Sequence, residues 1–234
     1  MNVKGKHIIV TGGSLGIGKE TAINLIEKGA VVLVTGRSQE RLDEALTDIE
    51  CHTVAFDIGD TSNIEQNAKK CLALLNGKVD VLINNAGIGE RKSIEELSIE
   101  SFMKVFNVNV FGLALFTKQI VPIMKKNQGG TIINIGSTAS LKGYQTGSIY
   151  ASSKFAVRCL TQCWQAELRP YNIRVCQINP SEVTTAFGSP DRIERDEVHN
   201  KLTSKEISHA ITSAIEMDDR GFINELNVWA TNPF

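Results

Sequence analysis

Seven short apolar runs alternate with six longer amphipathic stretches, and this alternation limits the fold more than any other feature. The runs are HIIV (7–10), VVLVT (31–35), TVAF (53–56), VDVLIN (79–84), TIINI (131–135), IRVCQI (173–178) and INELNVW (223–229). Most are nearly continuous in Val, Ile and Leu, the pattern of strands covered on both faces. Helical stretches lie between them, at about 16–29, 39–50, 61–77, 98–127, 148–169 and 204–217. Strand–helix alternation predicts right-handed βαβ units and an α/β fold: one Rossmann-type, doubly wound parallel sheet of about seven strands with helices on both faces. The 234 residues, 42% of them hydrophobic, suit one large domain with a substantial core. Sheets of this kind bind ligands beyond the carboxyl ends of their strands, so the residues after each run carry the functional reading.

Composition narrows the partners. The formal net charge is −1 with both signs interspersed, so no global field recruits nucleic acid or an anionic membrane. Cys51, Cys71, Cys159, Cys163 and Cys176 form no C-x-x-C pair, and no histidine stands near Cys159 and Cys163 in sequence. Reduced thiols in a cytoplasmic protein are expected, and no metal site. The opening MNVKGKHIIVTGG reaches a glycine turn after a few apolar residues, so neither a secretory signal nor a membrane span is expected there.

The first run ends in Thr11-Gly12-Gly13-Ser14-Leu15-Gly16-Ile17-Gly18. Glycines here allow a tight turn and close approach of a phosphate, with the N–H groups of the next helix aimed at the anion. The spacing does not fit G-x-G-x-x-G. It nearly fits a P-loop, Gly13-x4-Gly18-Lys19, but Glu20 stands where Ser or Thr would hold magnesium, and a carboxylate there repels triphosphate.

Tyr150 and Lys154 are four residues apart, about one helical turn, and so share a helix face. An adjacent cation is expected to lower the phenol's pKa and make it a proton donor near neutral pH. The same spacing also fits an ordinary polar pair on a surface helix. Ser137 lacks the G-x-S-x-G elbow, and His7, His52, His199 and His209 fall at strand starts or in the polar C-terminal region. A hydrolase triad is therefore not expected.

Several motifs follow one another in order. T-G-x-x-x-G-x-G spans 11–18, Asn84-Asn85-Ala86-Gly87 closes the fourth run, Asn109 lies in NVNVFG, and Ser137 closes the fifth run. Tyr150-x-x-x-Lys154 comes thirteen positions after Ser137, and Pro180 ends the sixth run ahead of Val183 and Thr185. From residue 5 to about 230 the chain resembles the short-chain dehydrogenase/reductase family, and is similar to its NADP(H)-dependent, 3-oxoacyl-(acyl-carrier-protein) reductase-like members. The resemblance implies one domain over 1–234, with the cofactor-binding part at about 1–130 and the catalytic and substrate part at about 131–234. It implies cofactor contacts from Gly12, Ser14, Gly16, Ile17, Gly18, Asn84, Ala86, Gly87, Tyr150, Lys154, Pro180, Val183 and Thr185. It implies hydride transfer between a nicotinamide and a carbonyl or alcohol carbon, with Asn109, Ser137, Tyr150 and Lys154 catalytic. A carbonyl oxygen gaining charge needs hydrogen-bond donors and then a proton, which Ser137 and Tyr150 supply. Lys154 tunes the phenol and donates to the nicotinamide ribose, and Asn109 holds a water that links Lys154 to solvent. Two departures stand out: Pro180-Ser181 replaces the family's Pro-Gly, and VWATNPF replaces a glycine-rich tail.

The acid that would bind the adenosine ribose after the second run is absent; Thr35-Gly36-Arg37-Ser38 stands there. A guanidinium forks onto a phosphate dianion, and Ser14 and Ser38 add hydroxyls, so NADP(H) is expected ahead of NAD(H); the alternative is a solvated Arg37. Asp57-Ile58 resembles the pair that meets the adenine, Asp57 on its amine and Ile58 on its ring. Asp57 also reads as a helix N-cap, though Asp60 or Thr61 suits that role better. The expected activity is reduction of a ketone or 3-oxoacyl group with Tyr150 as general acid. The alternatives are an NAD-dependent alcohol or polyol dehydrogenase and a dinucleotide-sensing regulator without turnover. Three loops, 88–92, 138–148 and 186–201, would line the substrate pocket, and the last reads as too short for a helical lid, leaving an open site. The stretches 98–127 and 148–169 carry more apolar residues than one sheet-facing stripe needs, which predicts a homodimer or homotetramer.

Overall fold

The computed structural model describes residues 2–189 and 191–233. All seven apolar runs are strands of one sheet, and every pairing is parallel. The strands are β1 (His7–Thr11), β2 (Val31–Gly36), β3 (His52–Ala55), β4 (Val81–Asn84), β5 (Gly130–Ile135), β6 (Ile173–Pro180) and β7 (Glu225–Val228). Their order is β3-β2-β1-β4-β5-β6-β7, so the winding reverses between β1 and β4. That reversal opens a crevice at the carboxyl ends of β1 and β4, where such sheets take ligands.

Successive side chains of β1 point to opposite faces, which divides the core in two. Ile8 and Val10 pack with Leu25, Val32, Ile207 and Ile211. Ile9 packs on the other face with Leu33, Leu82, Phe116, Ile120 and Met124. The first core lies under α1 (Gly16–Glu27) and α7 (Ser204–Glu216), the second under α3 (Ile64–Leu74) and α5 (Leu113–Lys126). The remaining helices are α2 (Gln39–Ala45), α4 (Ile99–Phe106) and α6 (Ser148–Leu168). By length and composition alone Ile99–Lys126 could cross a membrane, but its Phe116, Ile120 and Met124 are fully buried against the sheet.

Three boundaries differ from those expected. The stretch 98–127 is not one regular helix: a π-helical turn, Asn107–Gly112, separates α4 from α5. Gly112 presses on the neighbouring chain there, since a Cβ on it would lie 2.1 Å from the Ile58 carbonyl oxygen. The cap of α3 is Asn63, not Asp60 or Thr61; the Asp60 carboxylate instead accepts from Ser62 Oγ (2.6 Å) and Asn63 Nδ2 (2.7 Å). Finally, α2 ends at Ala45, ahead of the left-handed Asp48 (φ 61°).

Candidate active site

The glycine turn after β1 is tied to its neighbours on both sides. Gly12 N and Gly13 N donate to the Thr35 carbonyl at 2.8 and 3.0 Å. On the β4 side Thr11 Oγ1 accepts from Asn85 N (3.0 Å) and Ala86 N (3.1 Å), and Asn85 Nδ2 donates to Gly12 O (2.8 Å). Gly12 has φ +70°, and a Cβ on it would meet Ala86 Cα at 2.7 Å. A Cβ on Gly18 would lie 2.4 Å from Gly12 O, so side chains here would clash with the turn itself. Helix α1 starts at Gly16 with no side-chain cap and no acid in its first turn. Its free amides suit an anion, and one already holds a carboxylate: Gly16 N donates to Glu194 Oε1 at 2.6 Å.

Other expected cofactor residues border this turn. Ser14 and Ile17 are partly exposed beside it, and Arg37 is exposed directly after β2. Ser38 Oγ accepts from Arg41 N (3.3 Å) and so caps α2. Thr185 packs on Gly16, with its Cγ2 3.2 Å from where a Cβ would be. Pro180 ends β6, Val183 bridges Leu202, and Ser181 N donates to Val228 O (2.8 Å). Ser181 has no positive φ, so the serine in place of glycine carries no backbone strain.

Two expected contacts are placed elsewhere. Ile58 is 6% exposed and packs with Leu33, Val54 and Ile64, so its side chain is spent on the core and offers little surface to an adenine ring. Beside it Asp57 is exposed and its Oδ1 accepts from Gly59 N (2.8 Å). Asn84 is buried, and its Nδ2 donates to Thr117 Oγ1 and Asn134 Oδ1, both at 2.9 Å. It ties β4 to α5 and β5, and Asn85 ties the glycine turn.

The four expected catalytic side chains converge on one end of the sheet. Ser137 follows β5, where its N–H donates to Ser140 Oγ and Asn179 Oδ1, both at 3.2 Å, and its Oγ accepts from Ala139 N at 3.1 Å. Tyr150 stands in the first turn of α6, beside Ser137. Lys154, one turn on, is 5% exposed, donates to the Ile135 carbonyl at 2.8 Å and lies 5.8 Å from the Tyr150 ring centroid. Asn109, in the π-turn, clamps Ile88: its Oδ1 accepts from Ile88 N, its Nδ2 donates to Ile88 O, each at 2.9 Å, and Nδ2 also donates to Ser153 Oγ at 3.0 Å. Gly87 lies between them, a Cβ on it being 3.4 Å from Asn109 Oδ1 and 3.7 Å from Lys154 Nζ.

The expected fall in the phenol's pKa is reversed. Burial raises Tyr150, overriding the lowering by Ser137 beside it, and Tyr144 adds to the rise. Burial also pulls Lys154 from 10.5 down to about 8. Desolvation is the largest cause of both shifts. The phenol therefore stays protonated at neutral pH, as a donor must.

The 186–201 loop is not the open edge expected. It forms no regular helix among its described residues, yet it crosses the site. The Phe187 ring lies 5.5 Å from that of Tyr150, and Glu194 reaches Gly16 and Ala186. Asn85, Asn179, Phe187 and Glu194 are site residues that sequence reasoning did not single out. Asn85 had a signal, as the second Asn of the Asn-Asn-Ala-Gly turn.

A family model described as short chain dehydrogenase matches residues 6–196. An uncharacterized oxidoreductase of Thermotoga maritima is 36% identical over 240 residues, covering 95% of this chain and 94% of its own. The 3-ketodihydrosphingosine reductase of Mus musculus is 34% identical over 190 residues, covering 77% of this chain; the match spans 57% of that longer protein. An alcohol dehydrogenase from the archaeon Thermococcus sibiricus, solved in complex with 5-hydroxy-NADP, superposes with a TM-score of 0.89 at 28% identity, covering 97% of each chain.

Proposed function

Because this chain belongs to the short-chain dehydrogenase/reductase family, and is thus an NAD(P)-dependent oxidoreductase, we propose that it reduces a ketone or 3-oxoacyl group with NADP(H). The observation that supports this reading is the gathering of Ser137, Tyr150, Asn109 and the buried Lys154 at one end of the sheet, next to a glycine turn whose Gly16 N already binds a carboxylate. The turn suits a dinucleotide's phosphates: Gly12 and Gly18 let it pack tightly against Ala86 and Asn85, and the Glu194 carboxylate on Gly16 N supports an anion at the start of α1.

The bound nicotinamide would supply the hydride. Gly12, Ser14, Gly16, Ile17 and Gly18 would hold the phosphates, with Ala86 and Gly87 along the crevice and Pro180, Val183 and Thr185 across it. Arg37, exposed and not facing a strand-end acid, suits a 2′-phosphate, with Ser14 and Ser38 beside it. Ser137 Oγ donates to the carbonyl oxygen as charge builds there, and the neutral Tyr150 donates a second hydrogen bond and then its proton. Lys154, tuned to about 8, returns to charge near neutrality and restores the phenol's proton. Asn109 holds the Ile88 strand-end loop on one side of Lys154 and Ser153 on the other.

In this reading about 1–130 carries the cofactor cleft and about 131–234 the catalytic and substrate part of a single domain. Phe111, Phe155 and Met103, each 41–43% exposed on α4, the π-turn and α6, support pairing with a second copy as a dimer or tetramer. Five free thiols support a cytoplasmic setting. A 340 nm absorbance screen of ketones and 3-oxoacyl thioesters, with NADPH and NADH side by side, tests the activity. Ketone-dependent NADPH oxidation is expected, and oxidation with NADH alone would refute the cofactor assignment.

A further inference from the structure

The turn that would seat the dinucleotide's phosphates is already held by the chain itself. Glu194 lies 178 residues beyond Gly16 in sequence, yet its Oε1 accepts from Gly16 N at 2.6 Å. Its Oε2 accepts from Ala186 N at 2.8 Å, so one carboxylate bridges two amides from opposite sides of the crevice. Helix α1 has no side-chain cap and no acid in its first turn, and Glu194 supplies an anion there. The neighbouring Arg195 fixes the segment: its Nε donates to Thr185 O (3.0 Å), its Nη2 to Val183 O, and it pairs with Glu182, which also binds Lys201. At the other end Phe187 lies on Tyr150. Phe187 thus stands at the reacting end and Glu194 at the glycine turn. Two residues before Glu194, Arg192 is left-handed (φ 54°); burial and then the neighbouring Arg37 and Arg41 lower its pKa, while Glu194 raises it.

We propose that Glu194 is an internal surrogate for the cofactor's phosphate: its carboxylate caps Gly16 and Ala186 in the free protein, and dinucleotide binding must displace it. This rests on the reading that the protein binds a nicotinamide dinucleotide. A binding-competent state populated only in part weakens apparent affinity by that fraction. Removing this Glu194 latch therefore tightens binding of every ligand that carries the pyrophosphate, whichever nicotinamide it bears.

The test is titration of wild type, Glu194→Gln and Glu194→Ala with NADPH and NADH, followed by nicotinamide fluorescence. Glu194 is exposed, so neither change threatens folding. Loss of a carboxylate that accepts from two amides predicts dissociation constants lower by about 10-fold or more for both cofactors, by the same factor. Inorganic pyrophosphate, added as a competitor, should displace NADPH at lower concentration from Glu194→Ala than from wild type. Trypsin should cut at Arg192 or Arg195 faster in the variants than in wild type without cofactor. Unchanged or weaker cofactor binding in both variants overturns the proposal. Wild type binding NADH more tightly than NADPH, with both tightened in the variants, would remove the NADP(H) assignment and leave the latch standing.

Discussion

Replacing Lys154 by Met should make the protein more stable at neutral pH while disabling it. Lys154 is 5% exposed, and burial holds its ammonium at about 8 against an ordinary 10.5. At about 1.4 kcal/mol per pH unit, keeping that charge buried costs about 3 kcal/mol at pH 7. Met has similar length and no charge, so the penalty disappears with little repacking. The lost bond to Ile135 O, 2.8 Å in wild type, takes back about 1–2 kcal/mol. A net gain of about 1–2 kcal/mol in a chain of this size raises Tm by about 2–8 °C. The gain must depend on pH. The folded-state pKa lies below the unfolded one, so between 8 and 10.5 the unfolded chain binds more protons and wild-type stability climbs with pH. The variant's lead should shrink across that window and vanish or reverse near its upper end. Thermal melts of both proteins by circular dichroism, from pH 7 to 10, measure it. A variant that melts below wild type at pH 7, or a gap that does not change with pH, would refute the reasoning.

Tyr150→Phe keeps the ring against Phe187 but removes the proton donor, and should lower turnover by at least about 10³ with cofactor binding kept, read by steady-state kinetics beside fluorescence titration. Arg37→Ala with Gly36→Asp should move preference from NADP(H) toward NAD(H), since a charge-assisted bond to phosphate is worth about 1.5–3 kcal/mol; side-by-side titrations decide it. Gly18→Ala places a Cβ 2.4 Å from Gly12 O, so it should cost about 1–3 kcal/mol in urea unfolding and weaken dinucleotide binding. Sedimentation equilibrium at micromolar concentration should give a dimer or larger, and a single species near the 25.6 kDa chain mass would sink the assembly proposal.

The sheet is legible because its strands are buried on both faces and read as near-continuous Val, Ile and Leu; each of the seven lies within two residues of its apolar run. The π-turn is not legible, because NVNVFG continues the apolar pattern of a helix; what breaks it is Gly112 pressed against Ile58, a contact between distant segments. That Ser137, Tyr150, Lys154 and Asn109 come together at one end of the sheet is legible in the order and spacing of their motifs. The burial of Ile58 and Asn84 is not, because a motif does not say which way a strand-end side chain turns. The direction of the Tyr150 shift failed for a related reason: spacing shows the cation but not the desolvation around it. Glu194 is invisible in sequence, where it is one acid in a charged loop.

Hydride transfer to a carbonyl carbon, with Tyr150 giving the proton, is the central claim, and isotope transfer tests it most directly. NADPH carrying deuterium at the transferable C4 position is incubated with wild type or Tyr150→Phe and a panel of ketones and 3-oxoacyl thioesters, and the products are analysed by mass spectrometry. The account predicts an alcohol with one deuterium at the former carbonyl carbon from wild type, with its yield at short times reduced at least about 10³-fold in the variant. No deuterated alcohol from any compound, or equal yield from Tyr150→Phe, would contradict it.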